Sequence, residues 1–355
     1  MKGETMKRKS LTSILLCVML ILAMMLSACT NSSSNNNSGT NSGTSYSSQN
    51  LTLVTGGTSG AWYAGGALMA ENWNKLPNVY VTSTDGGAES NVLAVSRGED
   101  AQLGMTWYPF VGDAYKQSGM FEGKFKSGEK TNIKVICNFY TNYGPLYVAS
   151  ESSGIEKFED IIGKRLLAGY TGSGLEYSSR ELLNVAHASY DSIKAAGGDV
   201  LFADYTEAPS LMKDGHIDVF SLVGAQKHSV VLDIETVMRV KILQLSDAIM
   251  DEFIKLHPGF YKKELPGDTY SSMDGKPVTV LGYNSTLVCT GDLPDDLVYD
   301  LTKNLFEVSL EPLGVVNGGF KFMATLDNAL SEINWDDVHP GAQRYFLEQG
   351  YNPNK

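Results

Sequence analysis

The chain lacks most of the features that metal sites and nucleic-acid interfaces require. It has four cysteines and five histidines in 355 residues, and none of them shows the spacing of a metal site. Its 28 Lys and Arg residues are outnumbered by 40 Asp and Glu, which gives a net charge of −12. A negative surface of that size repels a phosphate backbone. We therefore expect no metal, no cofactor and no nucleic-acid partner.

Long hydrophobic runs are also missing, apart from one short run near the start. Residues 14–25 are apolar, follow Lys7, Arg8 and Lys9, and are followed by Leu26-Ser-Ala-Cys29. The run is short for a membrane helix, although a plain signal peptide or a membrane helix is the alternative. The closing tetrad resembles a bacterial lipobox. We predict a lipoprotein signal peptide over residues 1–28 and a lipid anchor on Cys29.

The segment after Cys29 is almost wholly Ser, Asn, Gly and Thr. Such a composition cannot bury a core, so residues 29–50 are predicted to form a flexible tether. Removing residues 1–28, whose net charge is +3, changes the charge of the chain from −12 to −15. Two thiols then remain, Cys137 and Cys289, both in apolar, strand-like runs. They are either one disulfide or two buried free thiols.

Basic side chains are absent from three glycine-rich loops that each lead into a helix. The loops lie within residues 55–63, 83–91 and 170–176. The first and third follow short apolar strands, and Ser173 with Glu176 has the spacing of a capping box. No lysine follows the first loop and its glycines lack the dinucleotide spacing, so a nucleotide-phosphate site is not indicated. A tight connection capped by Ser59 is the plain alternative for that loop.

Helix starts present unpaired N–H groups and a positive dipole end, which can hold a carboxylate without a basic side chain. The Asn91 amide can both donate and accept hydrogen bonds, which suits a polar ligand group; the alternative is a solvated residue in the first turn of a helix. Trp107 can form a wall of a cleft, and packing in the hinge is the alternative. Gly224 and Gln226 follow a second-half strand and would face the first loop. The candidates from the residues themselves are Thr58, Ser59, Gly60, Asn91, Trp107, Thr171, Gly172, Ser173, Gly174, Gly224 and Gln226.

Strands and helices alternate along the chain, which predicts an α/β fold. The pattern of residues 97–105 is repeated in residues 214–222: a helix ends at glycine, an aspartate follows, and an apolar strand begins. This repetition suggests two similarly built lobes. Residues 138–150 and 277–290 would connect them. We predict the first lobe over residues 51–145 and 279–355 and the second over residues 146–278, with late helices at 297–306, 324–333 and 341–349.

Several segments, in the same order, resemble the TAXI family, the extracytoplasmic solute-binding proteins of TRAP transporters. The resemblance covers about residues 51–351. It is carried by Leu53-Val-Thr-Gly-Gly-Thr-Ser-Gly-Ala-Trp-Tyr63, Gly86-Gly-Ala-Glu-Ser-Asn91, Gly172-Ser-Gly174, Asp214-Gly-His-Ile-Asp218 and His339-Pro-Gly-Ala-Gln-Arg-Tyr345.

The resemblance implies a type II, Venus-flytrap periplasmic-binding-protein fold with two mixed-sheet lobes and a two-strand hinge. It also implies a TRAP-type membrane permease as partner and a glutamate-like amino acid or a dicarboxylate such as 2-oxoglutarate as solute. By motif match the family's binding positions fall on Ser59, Tyr63, Asn91, Thr171, Ser173 and Gly174. We expect a monomeric, non-enzymatic, lipid-anchored protein outside the cytoplasm. A solute-sensing receptor lobe and a surface hydrolase using Ser173 are the alternatives.

Overall fold

The computed structural model describes residues 46–58 and 60–354. The predicted signal peptide, most of the tether and the candidates Cys29 and Ser59 lie outside those residues. Within them, no helix has both the length and the apolarity that a bilayer span requires. The strands are β1 Gln49–Val54, β2 Val79–Thr84, β3 Leu103–Trp107, β4 Ile133–Ser150, β5 Arg165–Leu167, β6 Asp199–Leu201, β7 Val219–Gly224, β8 Val240–Leu243, β9 Tyr261–Leu265 and β10 Val278–Thr290.

The helices fall between these strands and after the last one. They are α1 Ala61–Trp73, α2 Ala88–Arg97, α3 Tyr108–Lys116, α4 Gly174–Val185, α5 Tyr190–Ala195, α6 Ala208–Lys213, α7 Ser229–Glu235, α8 Asp247–Leu256, α9 Asp295–Asn304, α10 Leu310–Val316, α11 Leu326–Ala329 and α12 Pro340–Glu348. The helix predicted over residues 324–333 is wrong in extent. A 3₁₀ turn over Gly318–Ala324 precedes it, and Thr325 caps only the short α11.

The strands form two halves joined by two long strands. The order is β2-β1-β3-β10-β4-β7-β5-β6, with β8 paired to β4 and β9 paired to β10. In one half β1 pairs in parallel with β2 and β3, and in the other half β5 pairs in parallel with β6 and β7. The long strands β10 and β4, which cross between the halves, pair antiparallel with β3 and β7 respectively. The order β2-β1-β3-β10-β4 is therefore repeated as β6-β5-β7-β4-β8. We call the half with β1–β3 the first lobe and the half with β5–β7 the second lobe.

Both lobes bury the two faces of their sheet, which explains why the strands are continuous apolar runs. In the second lobe, neighbouring residues of one strand enter opposite cores: Leu166 packs with Phe158, whereas Leu167 packs with Phe220. In the first lobe, Leu53 of β1 enters the core on one face of the sheet, and Val54 packs against the core on the other face. The prediction of a bilobal α/β fold of the periplasmic-binding type is confirmed. The residue boundaries proposed for the lobes remain predictions.

The crossing strands β4 and β10 connect the lobes where the sequence predicted connections. Register shifts interrupt the pairing of β4 with β7 between Tyr143 and Leu146, and that of β4 with β10 after Ser285. Cys137 and Cys289 lie on these strands, buried and unpaired, so the free-thiol alternative is the one the structure shows. Burial raises the pKa of both thiols, which makes them inert toward oxidants.

Candidate functional site

The third glycine loop ends where the sequence predicted a helix start. Ser173 precedes α4, and its Oγ accepts a hydrogen bond of 3.1 Å from the backbone N–H of Glu176. The reciprocal half of the predicted capping box is not formed. The Glu176 carboxylate instead accepts bonds from Arg180 at 3.3 Å and from the Tyr190 hydroxyl at 3.2 Å. The helix start is therefore fixed by one cap, while the side chain of Glu176 ties α4 to α5.

Asn91 lies in a different position from the one expected for a ligand contact. Its side chain is buried, and its Nδ2 donates to the carbonyl oxygens of Thr55 at 2.6 Å and Met105 at 2.7 Å. Its Oδ1 accepts from the Gly87 N–H at 3.1 Å. The amide thus connects the ends of β1 and β3 to the start of α2, and it is not among the lining residues of the described cavities. Asn91 positions the cleft loops from behind.

The first glycine loop lies on the same side of the sheet as the other two. Gly60 is the residue before α1, and no side chain caps the helix there. Gly56, Gly57 and Gly60 line a cavity between the lobes, whereas Thr58 is exposed and Tyr63 is half-buried outside the described cavities. Thr58 therefore lines none of the described cavities, although its hydroxyl was expected to help hold the solute.

Two neighbouring cavities occupy the space between the lobes. The outer one has a volume of about 370 Å³ and lies between residues 87–90 of the first lobe and residues 169–175 of the second. The inner one, named for the residues of the crossing strands β4 and β10 that line it, has a volume of about 520 Å³. Trp107, Tyr205 and Val223 line both cavities. We call these two cavities together the cleft. A third cavity, of about 590 Å³ and lined by Asp113, Lys124 and Arg180 among others, adjoins it, and we call this cavity the mouth of the cleft.

The structure gathers about half of the predicted site residues around the cleft. Thr171 is exposed and outside the described cavities, and Gln226 lines a separate cavity near the hinge, where its Nε2 donates to the Tyr143 hydroxyl at 2.6 Å. The predicted residues that line the outer cavity are Trp107, Gly172, Ser173 and Gly174. Those that line the inner cavity are Gly60, Trp107 and Gly224.

The lobes touch across the cleft at glycine positions. A Cβ added to Gly174, at the start of α4, would overlap the Trp107 ring and would lie 3.1 Å from Phe110 Cζ. A Cβ added to Gly119 of the first lobe would overlap the Tyr177 hydroxyl of the second lobe in the same way, and the φ of +60° at Gly119 also favours glycine. These close approaches describe a closed arrangement of the lobes.

The cleft has an acidic outer part, and its one histidine among the described lining residues, His228, lines the inner cavity with its pKa lowered by burial. Glu89 and Asp204 line the outer cavity, and none of the described lining residues of either cavity is Lys or Arg. Of the three residue types that a serine hydrolase uses, Ser173 is present, but no histidine is among the described residues lining its cavity. Its oxygen serves as a helix cap.

Sequence reasoning missed several residues that line the cleft. Glu89 lies in the first turn of α2, two residues after Gly87, a position that could have been read from the sequence. Asp204 precedes Tyr205 in a 3₁₀ turn after β6, and no local pattern separates it from a turn residue. Tyr283 lies in the middle of β10 and reaches the cleft through the hinge, which only the tertiary fold defines.

A buried carboxyl group at the mouth of the cleft gives a pH-dependent stability. Burial, together with the nearby Glu181 carboxylate, raises the pKa of Asp113 to about 6 against the opposing effect of Lys116. Because the folded-state pKa is raised, Asp113 favours folding below about pH 4, and this contribution is lost as the pH rises to about 6. A shift of this size corresponds to about 2–3 kcal/mol.

We therefore expect Asp113→Asn to be more stable relative to the natural protein at pH 7 than at pH 4, by about 2 kcal/mol. Urea unfolding of both proteins at pH 4, 5, 6 and 7 measures this difference. His257, whose pKa burial lowers to about 4, titrates in both proteins and cancels. A stability difference that stays constant with pH would show that Asp113 is not buried in its charged form.

Comparison with known proteins gives a family and distant structural likenesses. The profile of the NMT1-like family matches residues 53–350. A search of curated proteins gave no match. Solved structures similar in part include XAC2383 from Xanthomonas citri bound to ATP, with 10% identity, 84% of this chain and 94% of that chain covered, and a TM-score of 0.48.

Two further solved structures are similar in part. An ABC transporter periplasmic substrate-binding protein from Coxiella burnetii is 11% identical, with 76% of this chain and 98% of that chain covered and a TM-score of 0.39. The periplasmic aliphatic sulphonate binding protein SsuA from Escherichia coli is 11% identical, with 84% and 87% covered and a TM-score of 0.43.

Proposed function

The chain belongs to the NMT1-like family, and from this premise we propose that it captures a small solute outside the cytoplasm and delivers it to a membrane transporter. The observation that carries the proposal is the cleft, where helix starts from both lobes face each other across Trp107 and Gly174. A solute held there is enclosed when the lobes close. Closure is stabilised only by contacts that exist in the closed state.

The solute class proposed from the resemblance to the TAXI family is a small carboxylate or an amino acid, such as glutamate or 2-oxoglutarate. The start of α4 offers backbone N–H groups and a positive dipole end beside Ser173. The start of α2 at Gly87 and Ala88 lines the same outer cavity from the first lobe. Direct contacts with Gly172, Ser173, Gly174 and Trp107 are part of the proposal.

The transporter is proposed to be of the TRAP type, on the resemblance of the glycine loops to the TAXI family. The protein would then act as a monomer held at the membrane by a lipid on Cys29, with residues 29–50 as tether. A receptor lobe that presents the solute to a signalling partner would use the same cleft. The two functions differ in the partner, so a pull-down with a TRAP permease or with a sensor kinase separates them.

Replacing Ser173 with alanine tests the proposed carboxylate position. The variant loses the cap at the start of α4, which is worth about 1 kcal/mol of stability, and a hydroxyl at the cavity wall. We expect the affinity for the bound carboxylate to fall about tenfold, measured by calorimetry on protein freed of copurified ligand. Ser189→Ala is the matched control, because Ser189 caps α5 in the same way, through a bond of 3.1 Å to the Ser192 N–H. Equal affinities in both variants would contradict the proposed position.

A further inference from the structure

The charges around the cleft do not suit a doubly negative solute. Glu89 and Asp204 line the outer cavity. The basic residues at the adjoining mouth, Lys124 and Arg180, are already paired, at 3.4 Å with Glu89 and at 3.3 Å with Glu176. A dicarboxylate enclosed here would lose its hydration and gain no free countercharge, which is strongly unfavourable.

The inner cavity presents aromatic rings instead of charges. None of its described lining residues is Asp, Glu, Lys or Arg. Five of its lining residues carry large aromatic rings: Trp62, Trp107, Tyr140, Tyr205 and Tyr283. The Trp107 and Tyr283 ring centroids are 5.0 Å apart. Aromatic faces carry partial negative charge and attract a desolvated cation, particularly an alkylated ammonium group that needs no hydrogen bonds.

The tyrosines of this cavity are neutral. Burial raises the pKa of Tyr140, Tyr205 and Tyr283. Their rings therefore act through the π-face and not as phenolates. The Tyr283 hydroxyl is fully buried and has no hydrogen-bond partner within the described structure. The polar group that β10 contributes to the lining of the inner cavity is therefore the hydroxyl of Ser285.

We propose that the solute is a zwitterion whose ammonium centre lies against the rings of the inner cavity and whose carboxylate lies at the start of α4. Trp107 and Tyr205 line both cavities, so one molecule can meet both environments. This inference rests on the proposed function and narrows it: ammonium-bearing monocarboxylates are preferred over dicarboxylates. Asp204, which lines the outer cavity and makes no ion pair among the described residues, favours the same choice, since the solute then carries no net negative charge.

Calorimetry on the full chain freed of ligand tests the charge preference. The probes are glycine betaine, carnitine and glutamine on one side and 2-oxoglutarate and succinate on the other. The matched control is 3,3-dimethylbutanoate, which has the shape of glycine betaine with carbon in place of nitrogen. We expect an ammonium compound to bind, and glycine betaine to bind at least tenfold more tightly than its carbon analogue.

The possible outcomes separate this inference from the proposed function. Binding of 2-oxoglutarate or succinate without binding of any ammonium compound overturns the inference and leaves solute capture standing. Equal affinity for glycine betaine and 3,3-dimethylbutanoate also overturns it. A protein that binds no probe of either kind contradicts the proposed function itself.

Two variants of Tyr205 test the role of the rings. Tyr205→Phe keeps the aromatic face, whereas Tyr205→Leu removes it; the side chain is half-buried in a surface 3₁₀ turn, so both variants are expected to fold. For the ammonium probe we expect the affinity to fall about tenfold in Tyr205→Leu and to change less than threefold in Tyr205→Phe. Equal losses in both would assign the contact to the hydroxyl, and no loss in Tyr205→Leu would remove Tyr205 from the site; either result overturns the inference.

Discussion

Gly174→Ala is expected to lower the affinity for the captured solute between about tenfold and a hundredfold while leaving the protein folded. The added Cβ would overlap the Trp107 ring and approach Phe110 Cζ to 3.1 Å. Both aromatic residues belong to the first lobe and Gly174 to the second, so the overlap is relieved by opening the lobes. Overpacking of this kind costs about 1–3 kcal/mol, and each 1.4 kcal/mol is about tenfold in affinity.

Stability distinguishes this effect from misfolding. Alanine favours a helix more than glycine does, so α4 itself is not weakened and the thermal midpoint without ligand should not fall. Gly318→Ala is the control, because a Cβ at Gly318 meets nothing within 4 Å. Calorimetry and thermal unfolding measure both quantities. A Gly174→Ala protein with unchanged affinity would show that the lobes do not close at this contact.

Asn91→Ala is expected to destabilise the protein by about 3 kcal/mol, a large effect for one polar side chain. The substitution removes the bonds to Thr55, Met105 and Gly87 and leaves their backbone groups at a buried position. A buried polar group without a partner costs about 1–3 kcal/mol. Since the three partners belong to three separate segments, the cleft loops should lose their order together.

The matched control is Asn74→Ala. Asn74 also makes two bonds to backbone, with the Val81 carbonyl at 3.0 Å and the Val81 N–H at 2.6 Å, but its side chain is exposed. Water can replace the lost bonds there, so a loss of about 1 kcal/mol or less is expected. Denaturant unfolding gives both values. Equal losses in the two variants would show that burial of Asn91 does not determine its contribution.

Local signals in the sequence were sufficient to predict the helix starts and much of the fold. Ser173 is followed by a helix because its hydroxyl caps the N–H of Glu176, and that pattern is readable within four residues. Two glycines at helix ends were predictable in the same local way. Gly98 follows α2 with a φ of +69°, and Gly215 lies between α6 and β7 with a φ of +72°. Glycine adopts that backbone conformation most readily.

The parts that could not be predicted depend on contacts between distant segments. Asn91 looks like a solvated first-turn residue in the sequence, and only the convergence of β1, β3 and α2 encloses its amide. Trp107 was expected to form a wall of a cleft or to pack in the hinge, and its position depends on its place between the end of β3 and the start of α3, which Pro109 favours. The inner cavity could not be predicted because its rings come from both lobes and from the hinge strands.

Small-angle X-ray scattering tests closure of the cleft most directly. The radius of gyration is measured for ligand-free protein with and without a saturating concentration of the probe that binds in calorimetry. Enclosure of the solute between the lobes predicts a smaller radius with the probe in the natural protein and an unchanged radius in Gly174→Ala. A radius that stays the same in the natural protein although the probe is bound would contradict capture by closing lobes.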